Sequence, residues 1–235
     1  MIQVLKNTTK NPLQYIGEIA GICWNSDITD AEKNIKRAKS CIKSGHTRVM
    51  EYVDVHLVLS EYSARCIREA YTHIAGVSRL QESTRYVDCS NTGFFVPKGM
   101  TEEQETLYKK SLDSAFADYQ ELLNSGISKE DAANNLPLGM NSKFVWKINL
   151  TALIHFMNLR TCSRAYKEIR AMCREIIDAL KVLDDDWAWI CENLFVPKCE
   201  VIGYCQEEKC CGRKPKGMEG LKQQIIEEYE KSKQN

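Results

Sequence analysis

The stretch YVDVHLVLS, residues 52–60, decides the fold. Val53, Val55, Leu57 and Leu59 recur at every second position, with Asp54 and His56 between them. Successive side chains of a strand point to opposite faces, so the four apolar residues line one face and Asp54 and His56 the other. A half-buried strand of this kind belongs to an antiparallel sheet. Parallel doubly wound folds need buried apolar strands at regular spacing, and these are missing. KFVWKIN at 143–149 predicts a second strand.

Helical patterns surround the two strands. Residues 29–44 predict a helix with Thr29 as cap, Glu32 three residues on as in a capping box, and Gly45 ending it. Residues 61–72 have helical composition, and 78–92 read as polar and extended, punctuated by Gly93 and Pro97. Residues 102–124 predict a long amphipathic helix with Leu107, Leu112, Phe116, Tyr119 and Leu123 as its stripe and Gly126 closing it. Ser128 caps a short helix that LPLG at 136–139 breaks. Helix is expected again at 150–159 and at about 163–183, the latter with Ile169, Met172, Ile176, Leu180 and Leu183 facing the core. A last packed helix with Trp187 and Trp189 covers 185–195. There is no internal repeat. The expected class is α+β: a mixed helix/sheet domain with a central, largely antiparallel sheet flanked by helices. One main domain is expected at 1–196, with a cysteine-rich tail at 197–235.

Composition narrows the function. The 235 residues balance 32 Lys+Arg against 32 Asp+Glu. Nothing in these totals supplies the basic face that a duplex nucleic-acid binder needs. The longest apolar run, near LTALIHFM, is far short of the roughly 20 residues of a membrane span. MIQVLKNTTKNP lacks the apolar stretch of an export signal. The chain therefore reads as cytoplasmic, its eleven cysteines as reduced thiols, with no membrane or nucleic-acid partner. No Gly-rich phosphate loop of either common type is present.

Three segments could carry chemistry. In RLQESTRYVDCSN, 79–91, Gln81, Ser83 and Arg85 alternate, so an extended chain places an amide, a hydroxyl and a cation on one face. That set suits a phosphate or a pyrimidine edge. Spacing alone favours a solvated edge strand. In NLRTCSRAYKEIR, 158–170, Arg160 and Arg164 share a face on a continuous helix, as do Arg170 and Arg174 further on. Such pairs bind anions, and they also occur on any exposed basic face, which spacing alone favours. GHTRVMEY, 45–52, places His46 and Glu51 between a helix and a strand, where active-site loops often sit.

Taken together, these segments resemble the flavin-dependent thymidylate synthases, a family unrelated in fold to the common thymidylate synthase. The resemblance runs in order from about residue 20 to 195. It rests on Gly45, His46 and Glu51; on QESTRY with Ser83, Arg85 and Tyr86; and on LPLGMNSKFVWKINLTALIHFMNLR at 136–160, followed by the A-x-x-E-I-R helix ending at Arg170. The family's signature is Arg-His-Arg, seven residues, then Ser. Here YTHIAGVSRLQES puts Thr72 and Ile74 beside His73, with one extra residue before Ser83. Ala133, Thr151 and Arg164 also stand where the family has arginine, arginine and histidine, and Arg48 stands in place of a small hydroxyl residue.

What the resemblance implies is reductive methylation of dUMP to dTMP. Methylenetetrahydrofolate supplies the carbon, NADPH the electrons, and bound FAD relays hydride. A hydroxymethylating pyrimidine-nucleotide relative and a non-catalytic nucleotide- or flavin-binding paralogue are the alternatives. Arg160 matches the arginine on the uracil ring and Ser83 a nucleotide contact, the pair expected to carry catalysis. Gln81, Thr84, Arg85, Glu69 and Arg79 complete the expected substrate set. His73, Asn149 and His155 match flavin-side positions, with Glu51, Arg48 and Arg164 beside them. Because phosphates in a partly buried pocket need charge-assisted donors, Arg48, Arg79 and Arg164 are expected to replace the missing signature arginines. Family sites are assembled from several subunits of a homotetramer.

The tail holds Cys199, Cys205, Cys210 and Cys211. Four thiols within thirteen residues could bind zinc, but the spacing lacks a C-x-x-C knuckle. Reduced thiols without metal are the default expectation.

Overall fold

A computed structural model of the chain describes residues 1–233. Four strands form one wholly antiparallel sheet: β1 (Ile2–Val4), β2 (Asp54–Ser63), β3 (Val77–Gln81) and β4 (Asn141–Asn149), in the order β1-β2-β4-β3. The α+β expectation holds. Val55, Leu57 and Leu59 of β2 and Phe144, Trp146 and Ile148 of β4 are buried on one face. Phe156, Ile169, Met172, Ile176 and Trp187, from helices that follow β4, pack in the same core. The other face is open, and there Val58, Val145 and Leu80 stand side by side across three strands.

β2 runs three residues further than its alternation predicts. Between Leu59 and Tyr62 its register shifts through a bulge at Glu61, whose φ is 65°. The extra residue turns both Tyr62 and Ser63 inward. Ser63 then caps α3 (Ala64–Tyr71) by accepting the Cys66 N–H.

Two N-terminal elements carry no periodic signal. β1 has only three residues, and α1 (Pro12–Cys23) is apolar with glycines at 17 and 21. Gly17 allows α1 to cross α2 (Ala31–Lys43) at very short range. A Cβ built on it would lie 1.9 Å from the Asn34 carbonyl oxygen. Arg37 donates to the Gly17 carbonyl at 2.9 Å and to Asn34 Oδ1 at 2.6 Å, locking the crossing. Gly17→Ala forces the helices apart, and we expect it to cost about 1–3 kcal/mol in urea unfolding. The α2 cap differs from the predicted box: Asp30 accepts the Lys33 N–H, while Thr29 donates both its groups to Asp27. Past Ser44, Gly45 takes a φ of 77° and the His46 N–H returns to the Cys41 carbonyl, so Gly45 ends the helix as expected. A 3₁₀ turn, Thr47–Tyr52, leads into β2.

α4 (Glu102–Asn124) has the predicted bounds and a capping box at Thr101 and Gln104. Its stripe begins later than expected: Leu107 is 70% exposed, while Leu112, Phe116 and Tyr119 are buried. Phe116 and Tyr119 form a smaller core with Cys89, Ala132 and Met140. α5 (Lys129–Ala132) is capped by Ser128 as expected. α6 (Leu150–Arg160), α7 (Lys167–Lys181) and α8 (Asp185–Leu194) follow, then α9 (Lys198–Ile202) and α10 (Gly217–Ser232) in the tail. α7 buries Ile169, Met172, Ile176 and Leu180, but Leu183 falls beyond its end and is exposed. No helix among the described residues is long and apolar enough to cross a membrane.

Candidate active site

The site grows from the C-terminal ends of two neighbouring helices. α3 ends in Tyr71, and the chain then turns through Thr72–Gly76 into β3. Gly76 has a φ of 68°, and a Cβ there would sit 2.6 Å from the Asn149 amide. The Asn149 N–H donates to the Gly76 carbonyl at 2.9 Å, and the Asn149 side chain caps α6 by accepting the Ala152 N–H. Asn149 therefore joins the end of β4, the start of α6 and the 72–76 turn. Thr151 ties the first turn of α6 to the Thr47 carbonyl.

At the far end of α6 Arg160 reaches back to α3. Its Nη1 donates to Glu69 Oε2 at 3.2 Å, its Nη2 to Thr72 Oγ1 at 2.9 Å and to the Glu69 carbonyl, and its Nε to His73 Nε2 at 3.3 Å. An imidazole nitrogen that accepts carries no proton, so His73 is neutral with its proton on Nδ1. Burial first, then the positive Arg160, then His155, push its pKa down to about 4. The His73 ring stands edge-on to Phe156 at 4.9 Å and to His155 at 5.8 Å.

These residues surround a cavity of about 830 Å³. Glu51 sits at its rim. His73, Asn149, His155 and Arg160 supply polar groups, and Ile74, Ala75, Ala152 and Leu159 supply apolar wall. An apolar lining with a few polar groups suits a small-molecule ligand.

The His73 environment has a measurable consequence. Because its folded-state pKa lies below that of an unfolded histidine, the unfolded chain takes up a proton first as pH falls. Stability is therefore lost between about pH 6.5 and 4. We expect an NMR titration midpoint for His73 near 4, moved upward in Arg160→Ala, where one positive neighbour is gone.

The sequence-predicted residues do not all meet. His73, Asn149, His155, Arg160 and Glu51 line this cavity, and Glu69 touches it through Arg160. Gln81, Ser83, Thr84 and Arg85 do not line it. The strand ends at Gln81, so the expected alternation stops there. Gln81 donates to Ser142, and the Ser83 carbonyl accepts the N–H groups of Tyr86 and Val87 in a turn. Arg85 pairs with Glu130 of α5 at 3.0 Å, exposed to solvent.

The three newly placed arginines also go elsewhere. Arg79 donates to the Tyr71 and His73 carbonyls and stacks 4.4 Å over the Tyr71 ring, which pins the 71–73 turn. α6 stops at Arg160, so Arg164 does not share its helix face; it pairs with Glu207 of the tail at 3.2 Å. Arg48 is exposed on the 3₁₀ turn and does not line the cavity. Arg170 and Arg174 lie together on α7, also outside it.

Sequence reasoning missed Thr72 as a partner of Arg160, because it showed there only as a lost arginine. In the tail, no group of three or more His, Cys, Asp or Glu side chains among the described residues stands where it could hold a metal ion.

Comparison with known proteins places the chain. A family model described as thymidylate synthase complementing protein matches residues 4–183. A flavin-dependent thymidylate synthase of Pyrococcus furiosus is 30% identical over 224 residues, covering 88% of this chain and 90% of the relative. That of Nitratidesulfovibrio vulgaris is 30% identical, covering 79% of each. Among solved structures, the UMP/dUMP methylase PolB of Streptomyces cacaoi bound with 5-Br dUMP superposes with a TM-score of 0.70 at 21% identity, over 83% of this chain and 96% of that one. The Helicobacter pylori ThyX complexed with FAD and dUMP gives 0.66 at 20% identity, over 82% and 98%.

Proposed function

The chain belongs to the flavin-dependent thymidylate synthase family, and from that premise we propose that it converts dUMP to dTMP by reductive methylation, with methylenetetrahydrofolate as carbon donor and NADPH as reductant. The observation that carries this reading is the cavity in which Arg160 meets neutral His73 beside His155 and Asn149. FAD, when bound, relays hydride. The apolar wall at Ile74, Ala75, Ala152 and Leu159 suits its ring, and the polar groups suit the ring's heteroatoms.

Arg160 is the electrostatic centre. Its guanidinium is held by Glu69, Thr72 and His73 before any substrate arrives, so it needs no reorganisation to face a developing negative charge on a uracil ring. His73 contributes as a neutral donor–acceptor. It is no general acid at neutral pH, since its pKa lies at about 4.

Nucleotide contacts from Gln81, Ser83, Thr84 and Arg85 stand outside this cavity in one protomer. A homotetramer reconciles the two places: the 81–85 segment of a second protomer closes over the cavity of the first. The open sheet face, with Val58, Val145 and the 75%-exposed Leu80 in one row, gives such an assembly an apolar surface to cover. The phosphate donor is then Arg85, which exchanges its exposed partner Glu130 for the nucleotide.

The test is tritium release from dUMP labelled at C5, with methylenetetrahydrofolate, NADPH and FAD. Release that matches dTMP formation is expected. A flavin-loaded protein that NADPH bleaches but that releases no tritium overturns the methylation reading.

A further inference from the structure

The C-terminal segment, which the methylation chemistry does not use, gathers the chain's thiols. A second cavity of about 160 Å³ lies between the loop after α6 and the tail, and Cys162, Cys199, Cys205 and Cys211 line it. Cys210 stands beside Cys205. Both ends of the 205–210 loop are fastened to one stretch of backbone. The Cys205 N–H donates to the Pro215 carbonyl at 2.8 Å, and its carbonyl accepts the Gly217 N–H at 2.8 Å. The Cys210 thiol donates to the Lys214 carbonyl at 3.3 Å. Cys205 and Cys210 are thus both held against the 214–217 backbone.

From this juxtaposition we propose that Cys205 and Cys210 form a reversible dithiol–disulfide couple that closes the 205–210 loop of the tail beside the loop following Arg160. The two differ in the way such a couple needs. Cys210 is partly exposed, and its sulfur accepts the Gly212 N–H at 3.4 Å. Cys205 is 7% exposed, out of reach of a bulky reagent but beside Cys210. The oxidant is a low-molecular-weight disulfide of the glutathione class. Cys210 thiolate attacks one of its sulfurs, forming a mixed disulfide and expelling one thiolate, which takes up the Cys210 proton. Cys205 then attacks Cys210 Sγ, the Sγ–Sγ bond forms, and the second thiolate leaves with the Cys205 proton. Two protein thiols are oxidised and one small disulfide is reduced to two thiols.

The couple acts on ground next to the active site. Glu207, inside the closed loop, pairs with Arg164 at 3.2 Å, and the neighbouring Cys211 lines the same cavity as Ser163. These residues belong to the loop that leaves Arg160. Cys66, Cys173 and Cys191 are buried in the main core, which raises their pKa values, whereas Cys162, Cys199 and Cys211 line the same cavity as Cys205 and are the thiols that peptide mapping must tell apart from the pair.

The full chain is equilibrated in oxidised and reduced glutathione at stepped ratios, quenched with an alkylating reagent and peptide-mapped. Cys205 and Cys210 should lose alkylation together and appear as one cross-linked peptide, restored by excess reduced glutathione. Cys205→Ser should trap glutathione on Cys210, and trypsin should cut after Lys209 and Arg213 several-fold more slowly in the oxidised form. Alkylation of both thiols at every ratio, cross-linking to other cysteines instead, or one zinc ion per chain that shields both thiols would overturn the proposal.

Discussion

Arg160→Ala is expected to lower the turnover of dUMP by about 10²–10³-fold, the usual cost of removing one preorganised donor from a developing charge. The same change should leave folding stability within about 1 kcal/mol, because the Glu69–Arg160 pair is partly exposed, at 20% and 39%, and such pairs contribute little. That separation is the informative part. Arg160 holds the last position of α6, where the helix's negative end favours a cation. Its three nitrogens are distributed over a carboxylate, a hydroxyl and an imidazole. Lys cannot reproduce that fork, so Arg160→Lys should recover little activity. Steady-state tritium release with the labelled nucleotide, alongside urea unfolding of the same proteins, checks both halves. Unchanged turnover in Arg160→Ala would remove the electrostatic centre from the mechanism.

Legibility in the sequence followed local physics. β2 and β4 could be read because one face of the sheet is buried and the other is open, which forces alternation at Val53–Leu59 and Phe144–Ile148. α4 and α7 could be read from their stripes. β1 and α1 could not, since a three-residue edge strand and a helix shaped around Gly17 and Gly21 are specified by their partners and not by a period. The same division runs through the site. His73, Asn149, His155 and Arg160 were named together only through the resemblance to the family, and helix ends and a strand end bring them to one cavity. The alternation of Gln81, Ser83 and Arg85 misled because nothing in it marks where the pairing with β4 stops, at Gln81 opposite Phe144. Arg79 and Arg164 were legible as cations but not as to their partners. A backbone carbonyl at Tyr71 and a carboxylate at Glu207 lie far off in sequence or outside any side-chain pattern.

Glu168→Ala should be the most damaging single change to the fold near the site. Glu168 is 3% exposed, yet it carries a carboxylate. Its oxygens accept the Ser63 N–H at 2.6 Å and the Ser63 hydroxyl at 2.5 Å. That hydroxyl in turn accepts the Cys66 N–H and so caps α3. Removing the carboxylate strands a buried N–H and frees the capping hydroxyl to rotate. Two hydrogen bonds to a carboxylate, at about 1.5–3 kcal/mol each, put the loss at about 3–6 kcal/mol. For a chain of this length that corresponds to a fall in Tm of about 10 °C. Ser63→Ala keeps the backbone donor and should lose only about 1–2 kcal/mol. The two changes share one network, so the double variant should cost less than their sum. Calorimetry on the three proteins decides this, and strict additivity would show that Glu168 acts on something other than the cap. The consequence for the site follows from position. α3 carries Glu69 in its last turn and delivers Thr72 and His73, so an uncapped α3 loosens three of the groups that hold Arg160. Glu168→Ala should therefore lower turnover even at temperatures where the protein remains folded, whereas Gly17→Ala, which loosens the α1–α2 crossing away from the cavity, should not.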